Sequence, residues 1–154
     1  MDNDADEYWM RVALQQARLA KEDDCVPVGA VLVQRSWPNA SSEGSVMVSC
    51  YRNGRKHYEH AELLAVQSLS DICRDSSTTL YVTLEPCSMC SGAIRLARIP
   101  RVVFGCKSPL GASSTVLSNV KNQAWYPKIS VRSGILEHEC ASILREFFKL
   151  ARLR

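Results

Sequence analysis

Hydrophobic and polar positions along the chain divide it into alternating periods. From Asp6 to Asp23 the residues Trp9, Val12, Ala13, Ala17 and Ala20 recur at helical spacing, with acidic residues in the first turn where the helix dipole favours them. This predicts an opening amphipathic helix. Val28 to Val33 reads as a buried strand and Val46 to Tyr51 as a second. Between them Trp37 to Gly44 is rich in Pro, Asn, Ser and Gly, so the pair is expected to form a hairpin with a long connection. Leu64, Ala65, Leu69 and Ile72 return to helical spacing and predict a helix over Ala61 to Ile72, followed by a β-rich segment from Leu80 to Leu84. Pro86 suits a first helical turn, where its missing N–H leaves no bond unmade, and predicts a helix from Cys87 to about Ala97. A strand over Arg101 to Gly105 comes next.

Lys107 to Pro127 shows no clean period and contains Ser, Gly, Asn and Pro, which implies loops or short helices over one face. The last segment, Glu137 to Leu153, predicts a helix with Cys140, Leu144, Phe147, Phe148 and Ala151 turned inward. Arg145, Lys149 and Arg152 then occupy another face, with Arg154 beyond them. Strands alternating with helices imply an α/β/α layered domain, and neither an internal repeat nor a second domain is visible, so residues 1–154 are expected to form one domain. The length of 154 residues agrees with that, and 46% hydrophobic with 23% charged residues is a globular composition.

Charge and cysteine content narrow the class. A net charge of +3 permits a nucleic-acid partner without requiring one. No apolar run reaches membrane-spanning length, and Met1 to Glu7 is acidic where a secretion signal would be basic and then apolar, so a cytoplasmic location is expected. The seven cysteines are an odd number in a chain without such a signal, which favours thiols or metal ligands over disulfides. Cys25, Cys50, Cys73, Cys106 and Cys140 lie in or beside apolar segments and read as small buried hydrophobes. His57 and His138 lack a motif and read as surface histidines. Gly29 and Gly92 are expected to permit close packing near a site.

Two short motifs carry chemistry. His60-Ala61-Glu62 opens the second expected helix and Pro86-Cys87-Ser88-Met89-Cys90 the third. Together they match the H-x-E and P-C-x-x-C pattern of zinc deaminases, although either half alone would be weak. Cysteines three apart in a first helical turn lie on one side and can reach one tetrahedral metal, and a helix N-terminus favours their ionised form. With His60 as a third ligand, one zinc ion per chain would keep a fourth position for water, as catalytic sites do. Glu62 is then the candidate general acid and base.

The wording around these motifs resembles the bacterial-type tRNA adenosine deaminases of the cytidine deaminase superfamily. The matching residues are Glu7 to Arg11, Val26-Pro27-Val28-Gly29-Ala30-Val31-Leu32-Val33, His60-Ala61-Glu62, Thr79 to Cys87, Met89-Cys90, Gly92-Ala93, Arg101-Val102-Val103-Phe104-Gly105, Gly134-Ile135-Leu136 and Phe147-Phe148. The resemblance implies a cytidine deaminase-like fold, a three-layer α/β/α sandwich with a central mixed sheet of about five strands. It also implies a homodimer and deamination of the wobble adenosine of a tRNA anticodon loop to inosine. It assigns the target base to Asn53, with Val28, Ala61, Pro86 and Ser108 as further substrate contacts, and it raises Arg145, Lys149 and Arg152 as RNA contacts.

Two departures accompany it. The segment between Asn53 and His60 is shorter than in that family, while Trp37 to Ser45 is longer. After Gly105 the family carries Arg, Asp, a small residue, Lys, Thr and Gly, whereas this chain reads Cys106-Lys107-Ser108-Pro109-Leu110-Gly111. Ser108 standing for the acidic residue bears on how the ribose 2′-hydroxyl is read. Two other functions compete with the expected one: a deaminase of free guanine or of cytosine-type substrates, and a catalytically silent RNA-binding subunit whose zinc serves only the fold.

Overall fold

A computed structural model of the chain describes residues 3–35, 46–69, 77–118 and 126–153. Its elements are α1 (Asn3–Glu22), β1 (Gly29–Arg35), β2 (Val46–Arg52), α2 (Ala61–Gln67), β3 (Thr78–Leu84), α3 (Ser88–Leu96), β4 (Arg101–Cys106), β5 (Ser130–Arg132) and α4 (Glu137–Ala151). The five strands form one mixed sheet in the order β2-β1-β3-β4-β5. β1 is antiparallel to both β2 and β3, whereas β3, β4 and β5 run parallel.

Period-two alternation along the strands sends side chains to two cores. Ala30, Leu32, Leu80, Val82, Val102 and Phe104 pack under α2 and α3 with Ala61, Ala65 and Ile94. Val31, Val33, Tyr81 and Val103 face α1 and α4, against Met10, Ala13, Leu14, Ala17, Cys140 and Ile143. A sheet covered on both faces needs apolar side chains at odd and even positions alike, which is why these strands read as continuous hydrophobic runs. The architecture is the expected three-layer α/β/α arrangement. At Gly29 an added Cβ would stand 2.0 Å from the Ala13 carbonyl oxygen and 2.6 Å from Ala17 N, so α1 crosses β1 at a distance only glycine permits.

Several expectations need correction. Pro86 lies before α3 and Cys87 is its N-cap, so the proline precedes the first turn. The inward side of α4 is Cys140 and Ile143, with Ala141 and Leu144 partly covered, while Phe148 is 45% exposed and Ala151 lies in the exposed last turn. Gly92 has nothing within 4 Å of an added Cβ and faces open space. Cys50 is exposed, unlike the buried Cys25, Cys106 and Cys140. Ser113–Leu117 forms a short π-helical turn within the expected loop region, and β5 is a three-residue strand that periodicity did not reveal. The Trp37 to Gly44 connection, Ile72, Cys73 and Arg154 lie outside the described residues.

One feature of α1 was also unexpected. Asp6, in its first turn, is buried and joins three strands: its Oδ1 accepts hydrogen bonds from the Tyr81 hydroxyl and Arg101 Nη1, both at 2.9 Å, and its Oδ2 from Arg101 Nη2 at 2.7 Å and Arg132 Nη1 at 2.6 Å. Burial alone would raise the Asp6 carboxyl, yet the Arg101, Tyr81 and Arg132 bonds hold it below the ordinary aspartate range. Among the described residues no helix is long and apolar enough to cross a membrane.

Candidate metal centre and pocket

The two motifs meet because their helices begin beside one another. His60 is the N-cap of α2 with extended backbone (φ −78°, ψ 143°), and Cys87 is the N-cap of α3 (φ −71°, ψ 176°). An N-cap residue has left the helical backbone, so both side chains turn off the helix ends into the space between α2 and α3. Cys90, one turn into α3, is fully buried and arrives on the same side. His60 Nδ1 stands 3.6 Å from Cys87 Sγ and 3.4 Å from Cys90 Sγ, and the three candidate ligand atoms all lie within 4.8 Å of one another. With metal–nitrogen and metal–sulfur bonds of ordinary zinc length, a tetrahedral angle puts N and S about 3.6 Å apart, so these spacings suit a single tetrahedral ion.

The electrostatics point the same way. Burial foremost, and then the charges of Glu62 and Cys87, would push the Cys90 thiol well above its ordinary range, against only the backbone N–H of Leu63. A divalent cation between the two sulfurs and the imidazole removes that conflict by favouring the thiolates. Glu62, in the first turn of α2, is 4% exposed, and burial pushes its carboxyl up to about 7 although its own backbone N–H works in the opposite sense. A carboxyl at that value can both take and return a proton near neutrality.

His60, Glu62 and Cys87 line a cavity of about 700 Å³, together with Val28, Asn53 and Ser108, and Cys90 is buried behind them. Asn53, just past β2, directs Oδ1 to the backbone N–H of Ala61 at 2.8 Å and so tethers the start of α2. Of the expected substrate contacts, Asn53, Val28 and Ser108 therefore line the cavity. Ala61 and Pro86 do not; both are buried behind the two motifs. Arg145, Lys149 and Arg152 are exposed on α4 and off the cavity wall, although Phe147 of the same helix lines it. Phe147 is thus a wall residue where the helical stripe suggested core.

Other wall residues carried no motif. Arg55, Lys56 and His57 form a basic rim on the short loop before α2, with Tyr58 57% exposed beside them. His57 is exposed as expected, yet it faces this mouth. The loop is held closed by Glu59, whose Oε2 accepts Lys56 N at 3.1 Å and whose carbonyl accepts Gly54 N at 2.8 Å. Leu84, Glu85 and Leu110 also line the cavity, as do residues 23–26 between α1 and β1. Three consecutive basic residues nine to eleven positions after the second strand begins were the only signal available in the sequence for the rim.

Comparison with known proteins agrees with this geometry. The family described as the cytidine and deoxycytidylate deaminase zinc-binding region matches residues 3–106. A Bacillus subtilis protein named tRNA-specific adenosine deaminase is 36% identical, with 94% of this chain and 89% of that protein covered. A Buchnera aphidicola protein of the same name is 35% identical over 97% of each. A solved structure from work on A-to-I editing by tRNA:A34 deaminases at the wobble position of transfer RNA superposes with a TM-score of 0.68 at 34% identity, covering 89% of this chain and 99% of that one.

Proposed function

Because the chain belongs to the cytidine and deoxycytidylate deaminase family, and matches its tRNA-specific adenosine deaminases along nearly its whole length, we propose that it converts adenosine to inosine at the wobble position of a tRNA anticodon. The reaction consumes one water and releases one ammonia. The observation that carries this reading is the convergence of the ligand atoms of His60, Cys87 and Cys90 within 4.8 Å of one another, beside a cavity that Glu62 also lines.

In this reading His60 Nδ1 and the sulfurs of Cys87 and Cys90 hold one zinc ion. The ion, when bound, supplies Lewis acidity that makes water a nucleophile near neutral pH. The chain's own groups do the rest. Glu62 takes a proton from the attacking water on a carboxylate oxygen and returns protons to the base, so that the amino group leaves as ammonia. Asn53 spends Oδ1 on Ala61 N, and its Nδ2 is the group left to donate to the edge of the purine. Val28 and Leu84 supply apolar wall for the ring. A base stacked in a helix cannot enter this cavity, so the adenosine must be splayed out of the loop, as single-stranded recognition requires.

The tRNA body then lies over the rim. Arg55, Lys56 and His57, and beyond Phe147 the exposed Arg145, Lys149 and Arg152, suit the phosphates of an anticodon stem-loop. A homodimer belongs to the same reading, with the whole chain acting as one domain in the cytoplasm. What supports the dimer is α3, where Met89 (42% exposed), Gly92 and Leu96 (66% exposed) form an uncovered stripe at helical spacing.

The test is to incubate the protein with a transcribed anticodon stem-loop and, separately, with free guanine, cytidine and adenosine, and to measure products by mass spectrometry. Inosine in the RNA alone is the expected outcome. Conversion of a free base in preference to the RNA would replace the substrate assignment, and tRNA binding with no product from any substrate would replace the enzyme with a silent subunit.

A further inference from the structure

One stretch of the cavity wall is neither helix nor strand. It is the stretch from Lys107 to Ala112, which leaves β4, carries Ser108 and Leu110 to the cavity and returns beside the metal motif. Its main-chain ties to that motif are few: Cys87 and Gly111 form an isolated antiparallel bridge, and Ala112 N donates to the Pro86 carbonyl at 2.9 Å. Leu110 is 79% exposed, so its side chain has no packing to fix it. Something else must hold this wall, because a loop of this kind loses a great deal of conformational freedom when it is ordered.

That role falls to Glu85. It occupies the link between β3 and the Cys87 cap, and its carboxylate is inserted between the two ends of the loop. Oε2 accepts the Ser108 backbone N–H at 3.0 Å, and Oε1 accepts both the Ser113 backbone N–H at 3.4 Å and the Ser113 hydroxyl. Gly111 lies against the same group, since an added Cβ there would be 2.1 Å from Glu85 Oε2. Ser108 in turn accepts Leu110 N on its hydroxyl at 3.2 Å, which passes the constraint on to Leu110. Glu85 is 9% exposed, so these donors replace the water it has lost. Lys107 lies near enough to add to its stabilisation as a carboxylate, against the cost of burial.

We propose that Glu85 is a positioning residue for substrate: it clamps the Lys107–Ala112 loop so that Ser108 and Leu110 meet the nucleotide in a fixed place. Although Glu85 lines the cavity, both of its carboxylate oxygens are taken up by the loop, so it acts through the loop. The proposal rests on the deaminase reading only for its kinetic part.

Glu85→Ala and Glu85→Gln separate this role from others. Glutamine can still accept the Ser108 N–H on its amide oxygen and donate to the Ser113 hydroxyl, so it keeps both ends of the clamp tied, giving up only the longer bond from Ser113 N–H, and removes the charge. Two measurements follow. Amide hydrogen exchange reads the clamp without any turnover: at Ser108 and Ser113 it should quicken about tenfold or more in Glu85→Ala, while in Glu85→Gln it should stay near native at Ser108, whose acceptor is kept. On the anticodon stem-loop, Glu85→Ala should retain one zinc per chain and raise KM roughly tenfold to a hundredfold with kcat changed far less, and Glu85→Gln should restore KM. Gly111→Ala, which drives a methyl into the carboxylate, should reproduce the raised KM, and it should add little in a Glu85→Ala background where the obstacle is gone. This variant decides the matter if Glu85→Ala does not fold. Unchanged exchange at Ser108 and Ser113, a Glu85→Gln enzyme as impaired as Glu85→Ala, or loss confined to kcat would each overturn the proposal. Normal clamp exchange with no turnover by the parent protein would instead count against the deaminase reading.

Discussion

The Asp6 cluster offers a perturbation whose size can be worked from its contacts. Asp6→Ala removes four accepted hydrogen bonds at once and leaves Arg101, whose side chain is 15% exposed, as a largely buried cation without its partner. Breaking such a pair costs about 3–5 kcal/mol, the larger part being the stranded charge. Arg132 is 35% exposed and can turn to water, so the lower end, about 3 kcal/mol, is the better expectation. For a chain of this size each kcal/mol moves the melting temperature about 2–4 °C, which puts the loss at roughly 6–12 °C. Thermal melts by circular dichroism would measure it. Arg101 Nε has no partner even in the intact cluster, so replacing Asp6 and Arg101 together by leucine and methionine should recover most of the loss. The pH dependence has a definite sign. A carboxylate held below its ordinary value of 3.8 contributes stability that is complete above that value and is lost as pH falls through the lower, folded-state one. The native protein should therefore lose melting temperature below about pH 4 more steeply than Asp6→Asn does. A loss under about 1 kcal/mol in Asp6→Ala, or equal acid slopes in native and Asp6→Asn, would refute the reasoning.

The other expected outcomes concern the site and its frame. Glu62→Gln should leave zinc content unchanged by elemental analysis and lower kcat on the stem-loop by about 10²- to 10⁴-fold, the range of a lost general acid and base. Cys90→Ala, or dialysis of the native protein against a chelator, should abolish both bound zinc and turnover, and re-addition of zinc should restore only the native chain. Gly29→Ala should destabilise by about 1–3 kcal/mol in denaturant titration, because the new methyl meets the backbone of Ala13 and Ala17 and α1 must shift.

How much could be read in advance follows from the range of the forces involved. The starts of α2 and α3 were legible because helix initiation is local: His60 and Cys87 stand as caps just before the first helical turns, within a residue of expectation. β1, β3 and β4 were legible because strands buried on both faces need unbroken apolar runs. The order of the sheet is a different matter, since β1 separates β2 from β3 only through pairings made between distant segments. Asp6 was misjudged for the same reason. An acid in a first helical turn has a sufficient local explanation in the dipole, and only the arrival of Arg101 and Arg132 from β4 and β5 shows the stronger one. On α4 the apolar spacing named a stripe that includes Phe148 and Ala151, but the buried positions are Cys140 and Ile143, and residues 148–151 are exposed among the described residues.

The site itself divides along this line. In the proposed reading its reactive half, His60, Glu62, Cys87 and Cys90, stands on helix starts, where backbone geometry is set within a few residues and motif spacing carries it. The half that the same reading gives to selectivity, Ser108, Leu110 and the Arg55–His57 rim, stands on loops tied by the Glu85 and Glu59 carboxylates. Helix starts buried between layers resist displacement, whereas a loop held through one side chain moves when that side chain changes. Changes in the helix starts should therefore appear in kcat and bound zinc, and changes in the loops in KM and substrate choice. On this reading the loops can be re-aimed without touching the H-x-E and P-C-x-x-C motifs.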